Sequence, residues 1–281
     1  MQNALGAINA GAYDLNAGCS GFIYALVAGS QAIASGECER VLVIGADTLS
    51  RTVDWEDRST SVLFGDGAGA VVLRASTGSA GVLANVLGAD GSGCEMLYIP
   101  AGGSAKPACQ ETIDQREHYI RMNGSAVYYF ATRILPNATE QVLRKAGLTL
   151  DQINLLIPHQ ANRRIIESAA KRLKLPIERF AMNLQEYGNT SAASIPIALC
   201  EAHSEGRIQP DDNLLMVGFG AGLTWAAGVV CWSAAQGGEQ RSARGIWRWM
   251  VYTTARLRSL TRSATIRTIR KMDECTRQRK H

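Results

Sequence analysis

The chain has 281 residues, of which 46% are hydrophobic and 19% charged, with a formal net charge of +4. This balance is typical of a folded globular protein and excludes an intrinsically disordered one. No apolar run approaches the ~18 residues that a membrane-spanning helix requires, and the first residues do not resemble a signal peptide. The seven cysteines are odd in number and form no CxxC pair, which fits neither a disulfide framework nor a zinc site. We therefore expect a cytoplasmic protein with reduced cysteines and no bound metal.

The charge is unevenly distributed along the chain. Residues 234–281 contain twelve basic and three acidic side chains, a net charge of +9, so the preceding residues carry −5. The sequence predicts a slightly acidic folded part and a basic tail over 233–281, irregular or loosely helical. Arginines among the aromatic residues of 246–250 would suit a membrane surface or a nucleic acid. The weak periodicity favours an extension without function, and we expect no nucleic-acid partner.

Strand and helix patterns alternate along the chain, which predicts an α/β protein. The predicted strands are 11–15, 40–46, 70–74, 153–158, 179–184, 213–218 and 225–232. The predicted helices are 20–35, closed by Gly36, a segment after Gly124, one beginning near Asn162, and 191–205.

One succession of elements occurs twice. AYDLNAGCSGFIYAL, SGECERVLVIGAD and GAGAVVL form the order strand, helix, strand, strand, and RFAMNLQEYGNTSAASIPIAL, EGRIQPDDNLLMVGFG and LTWAAGVVCW repeat it. Two such copies usually pack about a pseudo-twofold axis, which places Cys19 and Asn189 at corresponding positions. We assign residues 1–80 to the first half and 81–232 to the second. Only 18 residues precede Cys19, so we interpret the first half as incomplete.

Cys19 is the first candidate for chemistry. It lies in NAGCSGF at the N-terminal end of an apolar helix, where unpaired N–H groups and the helix dipole favour a thiolate. Gly18 and Gly21 beside it allow a substrate to approach the sulfur. The alternative is an inert buried cysteine, because cysteine is among the most buried residue types.

His159 and Asn189 are the next candidates. His159 follows the predicted strand INLLIP, and the sites of α/β proteins gather at the carboxyl ends of strands. Asn189 lies in EYGNTSAAS before a predicted helix. Each also has an ordinary structural interpretation, as a hydrogen-bonded core histidine and as a helix N-cap. Taken singly, neither residue establishes a site.

Two glycine-rich segments accompany these residues. GDGAGA at 65–70 is similar to a nucleotide-binding loop, but a strand follows it where a dinucleotide fingerprint needs a helix, so we predict a tight hairpin. GFGAGLT at 218–224 is predicted to be a turn whose N–H groups can serve an oxyanion hole.

Four motifs together, NAGCSGF, PHQANRRI, YGNTSAAS and GFGAGLTW, resemble β-ketoacyl-[acyl carrier protein] synthase III of the thiolase-like superfamily. They occur in the family's order, and the resemblance runs from near residue 4 to residue 232. It implies a duplicated α/β unit in five layers, αβαβα. It also implies a homodimer that uses acyl-coenzyme A and malonyl-[acyl carrier protein] as substrates and needs no cofactor.

The resemblance implies a catalytic triad of Cys19, His159 and Asn189. The Cys19 thiolate would take the acyl group from acyl-coenzyme A, and malonyl-[acyl carrier protein] would then lose carbon dioxide. His159 and Asn189 would donate hydrogen bonds to its thioester oxygen and stabilise the enolate that attacks the acyl-enzyme. The backbone N–H groups of Cys19 and Ala221 would hold the acyl oxyanion.

Related enzyme classes differ at identifiable residues. Thiolases use a second catalytic cysteine near the C-terminal glycine-rich turn, whereas Cys231 lies on the strand after that turn. Chain-elongating synthases have a second histidine where this chain has Asn189. Two other interpretations stay open: a polyketide-type condensing enzyme with the same triad, and an inactive homologue that binds partners.

Basic residues after His159 predict a carrier-protein surface. Arg163 and Arg164, with Lys171 and Arg172 further along the same helix, would attract an acidic partner. Lys171 and Arg172 serve equally well as a solvated helix face. The resemblance implies carrier-protein docking at Arg163.

The resemblance also implies that Arg58 contacts the adenine of coenzyme A. The tryptophan that completes this contact in the family would lie before Met1. We therefore expect weakened coenzyme A binding, unpaired edges in the first sheet and poor solubility. The predicted strand at 11–15, through which the sheets of family dimers join, is retained.

Overall fold

The computed structural model describes residues 1–76 and 80–233. Leu15–Ala234 belong to one compact unit, and Met1–Asp14 fall outside it. The predicted basic tail, apart from Ser233, lies outside the described residues. None of the described helices is both long enough and apolar enough to cross a membrane.

The described residues form eight strands and six α-helices, joined by short 3₁₀ turns. In chain order the strands are β1 (Arg40–Thr48), β2 (Asp66–Arg74), β3 (Gly81–Ala89), β4 (Leu97–Tyr98), β5 (Arg121–Met122), β6 (Leu155–Pro158), β7 (Asn213–Gly220) and β8 (Thr224–Cys231). The helices are α1 (Gly21–Ala34), α2 (Gln110–Asp114), α3 (Gly124–Ala146), α4 (Arg163–Leu173), α5 (Leu184–Tyr187) and α6 (Ser194–Ser204).

The strands pair into three sheets. β1 and β2 form an antiparallel pair in which Val43 lies opposite Val71. The largest sheet has the order β3-β8-β7-β6 and is antiparallel except for β6 and β7, where Leu156 lies opposite Leu215. β4 and β5 form a short separate pair.

The helices α1 and α6 lie between the β1–β2 pair and the four-stranded sheet. Phe22 of α1 and Ile195 of α6 belong to one buried cluster, which includes Val43 of β1. The same cluster reaches Met216 of β7. Burial of these apolar side chains from both sheets holds the layers together.

The helices α3 and α4 cover the other face of the four-stranded sheet. Leu135 of α3 and Ile166 of α4 pack with Leu215 of β7 in a second buried cluster. Asn162 begins α4 as an N-cap, because its Oδ1 accepts the N–H of Arg164 at 2.9 Å. The described residues thus build four of the five predicted layers, in the order sheet, helices, sheet, helices.

Two predicted strands are wrong. Residues 11–17 have no regular secondary structure, since a strand needs a hydrogen-bonded neighbour and no sheet of the described chain includes this segment. Within 179–184, Phe180 makes only an isolated bridge to Leu156. The N–H of Ala181 still donates to the carbonyl oxygen of Leu156 in β6 at 2.8 Å, but the N–H of Asn183 donates to Oε1 of the Gln160 side chain at 3.1 Å, so the pairing does not continue.

The predicted hairpin at 65–70 is also wrong, because residues 66–70 lie inside β2. Its glycines let α6 approach the strand closely. A Cβ on Gly67 would be 2.8 Å from Cδ1 of Ile197, and one on Gly69 would be 2.8 Å from Cβ of Pro196. The segment is therefore a packing surface of the β1–β2 pair.

Candidate active site

Cys19 lies in a 3₁₀ turn, Gly18–Ser20, directly before α1, and only 6% of it is exposed. The turn packs against the glycine-rich segment between β7 and β8. Gly18 has φ +53°, and a Cβ there would be 3.1 Å from the backbone nitrogen of Ala221. Glycine is required at this position because the backbone is left-handed and the two segments approach closely.

Two hydroxyl groups fasten the Cys19 turn to the segment between β7 and β8. Oγ of Ser20 and Oγ1 of Thr224 lie 2.8 Å apart. Both oxygens also lie within hydrogen-bond distance of the carbonyl oxygen of Ala17, at 2.7 and 2.8 Å respectively, so one hydroxyl donates to this carbonyl and the other donates to the first hydroxyl. Hydrogen bonds between buried or half-buried groups fix the position of the sulfur relative to Ala221.

Burial raises the pKa of the Cys19 thiol to about 11. A hydrogen bond from the Ser191 hydroxyl lowers this pKa but does not cancel the effect of burial. The charge of Asp47 adds to the increase, and the N–H groups of Cys19 and Ala221 oppose it. The thiol is thus mainly protonated at neutral pH. The N–H groups at the helix start lower the pKa, as the sequence predicts, but loss of hydration outweighs them.

His159 directly follows β6 and is 1% exposed. The backbone N–H of His159 donates to the carbonyl oxygen of Val217 at 2.8 Å. Its ring lies edge-on to the ring of Phe219, with the two ring centroids 5.4 Å apart. Nδ1 lies 2.7 Å from Oγ of Ser194. Burial lowers the pKa of His159 to about 3, so the imidazole is neutral at physiological pH.

Asn189 is held in the loop between α5 and α6 by its backbone. Its N–H donates to the carbonyl oxygen of Leu63, and its own carbonyl accepts the N–H of Gly65, both at 2.9 Å. Its Oδ1 accepts the N–H of Ser191 at 2.9 Å. No described residue accepts a hydrogen bond from its Nδ2, which leaves an amide donor for a bound molecule.

Two short segments, residues 219–221 and residues 189–194, connect the three candidate residues. Residues 219–221 contact the ring of His159 through Phe219 and the Cys19 turn through Gly220 and Ala221. Residues 189–194 begin with Asn189, provide the Ser191 donor to Cys19, and end at the hydroxyl beside His159. A thiol, a neutral imidazole, an amide and two backbone N–H groups are therefore gathered in one place, and these are the kinds of groups that acyl transfer uses.

The predicted binding residues lie at the surface. Arg163 and Arg164 begin α4 and are exposed, and Nε of Arg163 is 2.7 Å from Oε1 of Glu167. Arg58 is exposed in a turn between Asp57 and Phe64, and Phe64 bridges to Asn189. Arg58 is thus connected to Asn189 through the loop that ends at Phe64. Arg163 and Arg164 are connected to His159 through the residues that lead into α4.

Sequence reasoning missed the hydroxyl groups of Ser191 and Ser194 and the carboxylate of Asp47. Asp47 accepts the N–H of Ala192 at 3.1 Å and so supports the same loop. The signal that could have found the serines is their place in YGNTSAAS, next to Asn189. Across residues 1–76 and 80–233, no group of three or more His, Cys, Asp or Glu side chains is placed to hold a metal ion.

Comparison with known proteins agrees with this arrangement. Residues 13–91 match the family model of 3-oxoacyl-[acyl-carrier-protein] synthase III, and residues 143–232 match that of its C-terminal part. The chain is 53% identical over 233 residues to a β-ketoacyl-[acyl-carrier-protein] synthase III of Caldanaerobacter subterraneus, covering 83% of this chain and 70% of that protein.

Solved structures give the same result. A β-ketoacyl-[acyl carrier protein] synthase III from Thermus thermophilus aligns with a TM-score of 0.76 and 46% identity, over 83% of this chain and 71% of that one. The priming β-ketosynthase of the R1128 polyketide pathway aligns with a TM-score of 0.73 and 35% identity, over 82% and 68%. The fold is thus that of the thiolase-like condensing enzymes, as predicted. Within that class, the chain belongs to the β-ketoacyl-[acyl carrier protein] synthase III family.

Proposed function

We propose that the protein condenses an acyl-coenzyme A primer with malonyl-[acyl carrier protein], with loss of carbon dioxide, and so begins fatty acid synthesis. The observation that carries this proposal is the shared framework of Cys19, His159 and Asn189 on residues 189–194 and 219–221. The first step needs a thiol with N–H donors beside it, and the second needs neutral donors for an enolate.

In the proposed first step, the Cys19 thiol loses its proton and the sulfur attacks the thioester carbon. The N–H groups of Cys19 and Ala221, which already interact with the sulfur, would stabilise the oxyanion that forms. The intermediate collapses to the acyl-enzyme, and coenzyme A leaves as its thiol with the proton. Since burial raises the pKa of Cys19, proton removal is part of the barrier to this step.

In the proposed second step, the amide of Asn189 and the imidazole of His159 bind the thioester oxygen of malonyl-[acyl carrier protein]. Carbon dioxide leaves with the electrons of the broken bond held as the enolate, whose carbon then attacks the acyl-enzyme. The Cys19 sulfur is expelled as a thiolate and takes a proton from solvent water. A neutral imidazole suits this step, because it donates a hydrogen bond without pairing permanently with the carboxylate of the substrate.

The remaining partners are proposed from the surface residues. Arg163 and Arg164 would guide the acidic carrier protein, and Arg58 would contact coenzyme A. Both molecules are substrates, so the scheme needs no cofactor. A homodimer and a cytoplasmic location are proposed on the resemblance and on the cysteine pattern of the sequence.

The direct experiment is a condensation assay with the full chain, acyl-coenzyme A primers of several chain lengths and malonyl-[acyl carrier protein]. We expect β-ketoacyl-[acyl carrier protein] and carbon dioxide in equal amounts. Release of carbon dioxide without the condensed product would contradict the proposal. The likeness to the R1128 priming ketosynthase makes polyketide priming the second candidate, which a preference for a polyketide-type carrier protein would support.

A further inference from the structure

We propose that Ser194 is a positioning residue that holds His159 in the tautomer with its proton on Nε2. The tautomer is inferred from hydrogen bonds in the structure. Its effect on catalysis rests on the proposed function, in which His159 donates to the substrate oxygen.

The Ser194 hydroxyl has two partners among the described residues. Its Oγ lies 2.7 Å from Nδ1 of His159 and 3.4 Å from the backbone nitrogen of Gln160. Ser194 is 2% exposed, His159 1% and Gln160 0%. The hydroxyl group therefore has to satisfy its hydrogen bonds within the protein.

These partners determine whether Ser194 or His159 donates in the hydrogen bond between them. The backbone N–H of Gln160 can only donate, so Oγ of Ser194 accepts from it. The hydroxyl proton then has one acceptor in the described chain, the unprotonated Nδ1 of His159. If Nδ1 carried the proton instead, both partners would donate to Oγ and the buried hydroxyl proton would have no acceptor, which is unfavourable.

The backbone around this pair is fixed by the side chain of Gln160. Its Nε2 donates to the carbonyl oxygens of Pro158 and Ala181, at 2.7 and 3.1 Å. Its Oε1 accepts the N–H of Asn183 at 3.1 Å. The peptide group that donates to Ser194 is therefore held in place at the end of β6.

The tautomer determines what His159 can do. With the proton on Nε2, this nitrogen is a donor, and no described residue accepts from it. With the proton on Nδ1, Nε2 would present a lone pair to the developing negative charge of the enolate. The neutral state of the ring makes the choice of tautomer decisive, because an imidazolium would donate from both nitrogens.

Ser194 also links the two proposed enolate donors. It is the first residue of α6 and ends the loop that begins at Asn189. One loop thus carries the amide donor and sets the orientation of the imidazole. Acylation of Cys19 does not use Nε2–H in this scheme, so the effect of Ser194 falls on decarboxylation.

The test combines a spectroscopic and a kinetic measurement on the full chain. The nitrogen shifts of ¹⁵N-histidine-labelled protein are recorded at pH 7, with His159→Asn used to assign the signals. We expect a pyridine-like Nδ1 and a protonated Nε2 in the wild type. In Ser194→Ala we expect the Nδ1-protonated form to appear and malonyl-[acyl carrier protein] decarboxylation to fall by about tenfold or more. This loss of decarboxylation rate is smaller than the loss of about 10²–10³-fold that is expected when a direct donor is removed.

Matched variants separate positioning from general damage. Ser194→Thr keeps the hydroxyl and should retain the Nε2 tautomer. Ser204→Ala removes a hydroxyl from the other end of α6, whose one hydrogen-bond partner among the described residues is the carbonyl oxygen of Cys200, and should change neither measurement.

Two results would overturn the inference. One is a wild-type His159 protonated on Nδ1, which the assigned wild-type spectrum shows without any change at Ser194. The other is a folded Ser194→Ala protein with unchanged tautomer and unchanged decarboxylation. A wild type that shows the Nε2 tautomer but never decarboxylates malonyl-[acyl carrier protein] would instead overturn the proposed function and leave the tautomer assignment standing.

Discussion

Gly220 lies so close to Cys19 that a Cβ on the glycine would be 2.7 Å from the cysteine backbone nitrogen and 3.1 Å from Sγ. The end of β7 thus packs directly against the turn that carries Cys19. Its backbone is not left-handed, so close approach alone accounts for the glycine.

Gly220→Ala should displace the Cys19 turn relative to the N–H group of Ala221. We expect the rate of Cys19 acylation to fall by about 10²-fold, since a displacement near 1 Å can cost that much. The rate is measured by mixing the protein with acyl-coenzyme A, quenching at successive times and recording the intact mass. Gly103→Ala is the matched control, because nothing lies within 4 Å of its added Cβ. An unchanged rate in Gly220→Ala would show that the close contact has no role in the reaction.

His159→Ala and Asn189→Ala should separate the two chemical steps. Each removes a proposed enolate donor, so we expect malonyl decarboxylation to fall by about 10²–10³-fold. Acylation of Cys19 should fall much less, because the oxyanion donors of that step are backbone groups. Decarboxylation and acylation are followed separately by carbon dioxide release and by intact mass. Equal losses in both steps would mean that these residues position Cys19 or support the fold instead.

The reactivity of Cys19 should depend steeply on pH. Burial raises the pKa of this thiol to about 11, so the thiolate fraction should increase about tenfold per pH unit between pH 6 and 9. The rate of iodoacetamide alkylation, resolved by peptide mass spectrometry, should follow this slope. The exposed Cys109, whose pKa is lowered by hydrogen bonds from Thr112, is an internal reference that should level off at lower pH. A plateau for Cys19 near pH 7 would instead restore the thiolate expected from the helix start.

Charge reversal at the start of α4 should weaken carrier-protein binding. We expect Arg163→Glu with Arg164→Glu to raise the KM for malonyl-[acyl carrier protein] at low salt, and the difference from wild type to shrink as salt increases. The acylation rate with acyl-coenzyme A should stay near the wild-type value. Arg144→Glu with Lys145→Glu, at two exposed positions in the last turn of α3, makes the same change in net charge and is the control. An equal effect of this double variant would argue against a docking surface on α4.

Much of the fold follows from local sequence patterns. The strand predicted at 40–46 lies within β1 (Arg40–Thr48), and β6 ends at Pro158 as predicted. The helices predicted from residue 20 and from near Asn162 begin at Gly21 and Arg163. The signals for these elements lie within each segment and do not depend on distant residues. The strand β3 (Gly81–Ala89) was not predicted, because its glycines and Asn85 interrupt any alternation and its pairing partner lies far along the chain.

The site was predictable only in part. Four motifs identify Cys19, His159 and Asn189, but motifs do not reveal partners such as the Ser194 hydroxyl, 35 residues from His159. The state of the thiol also depends on the whole fold, since its pKa is set by burial and by Ser191, Asp47 and Ala221, which lie far from Cys19 in the chain. The glycines of β2 were misassigned for the same reason, because their requirement comes from the distant helix α6.

The most direct test of the account is the site of covalent acylation. The full chain is incubated with an acyl-coenzyme A, and its intact mass and peptides are compared with those of Cys19→Ala and of the control Cys200→Ala, an exposed cysteine on α6. We predict one acyl group per chain, located on Cys19, present in Cys200→Ala and absent in Cys19→Ala. Acylation that persists in Cys19→Ala, or that maps to another residue, would contradict the assignment of Cys19 as the nucleophile.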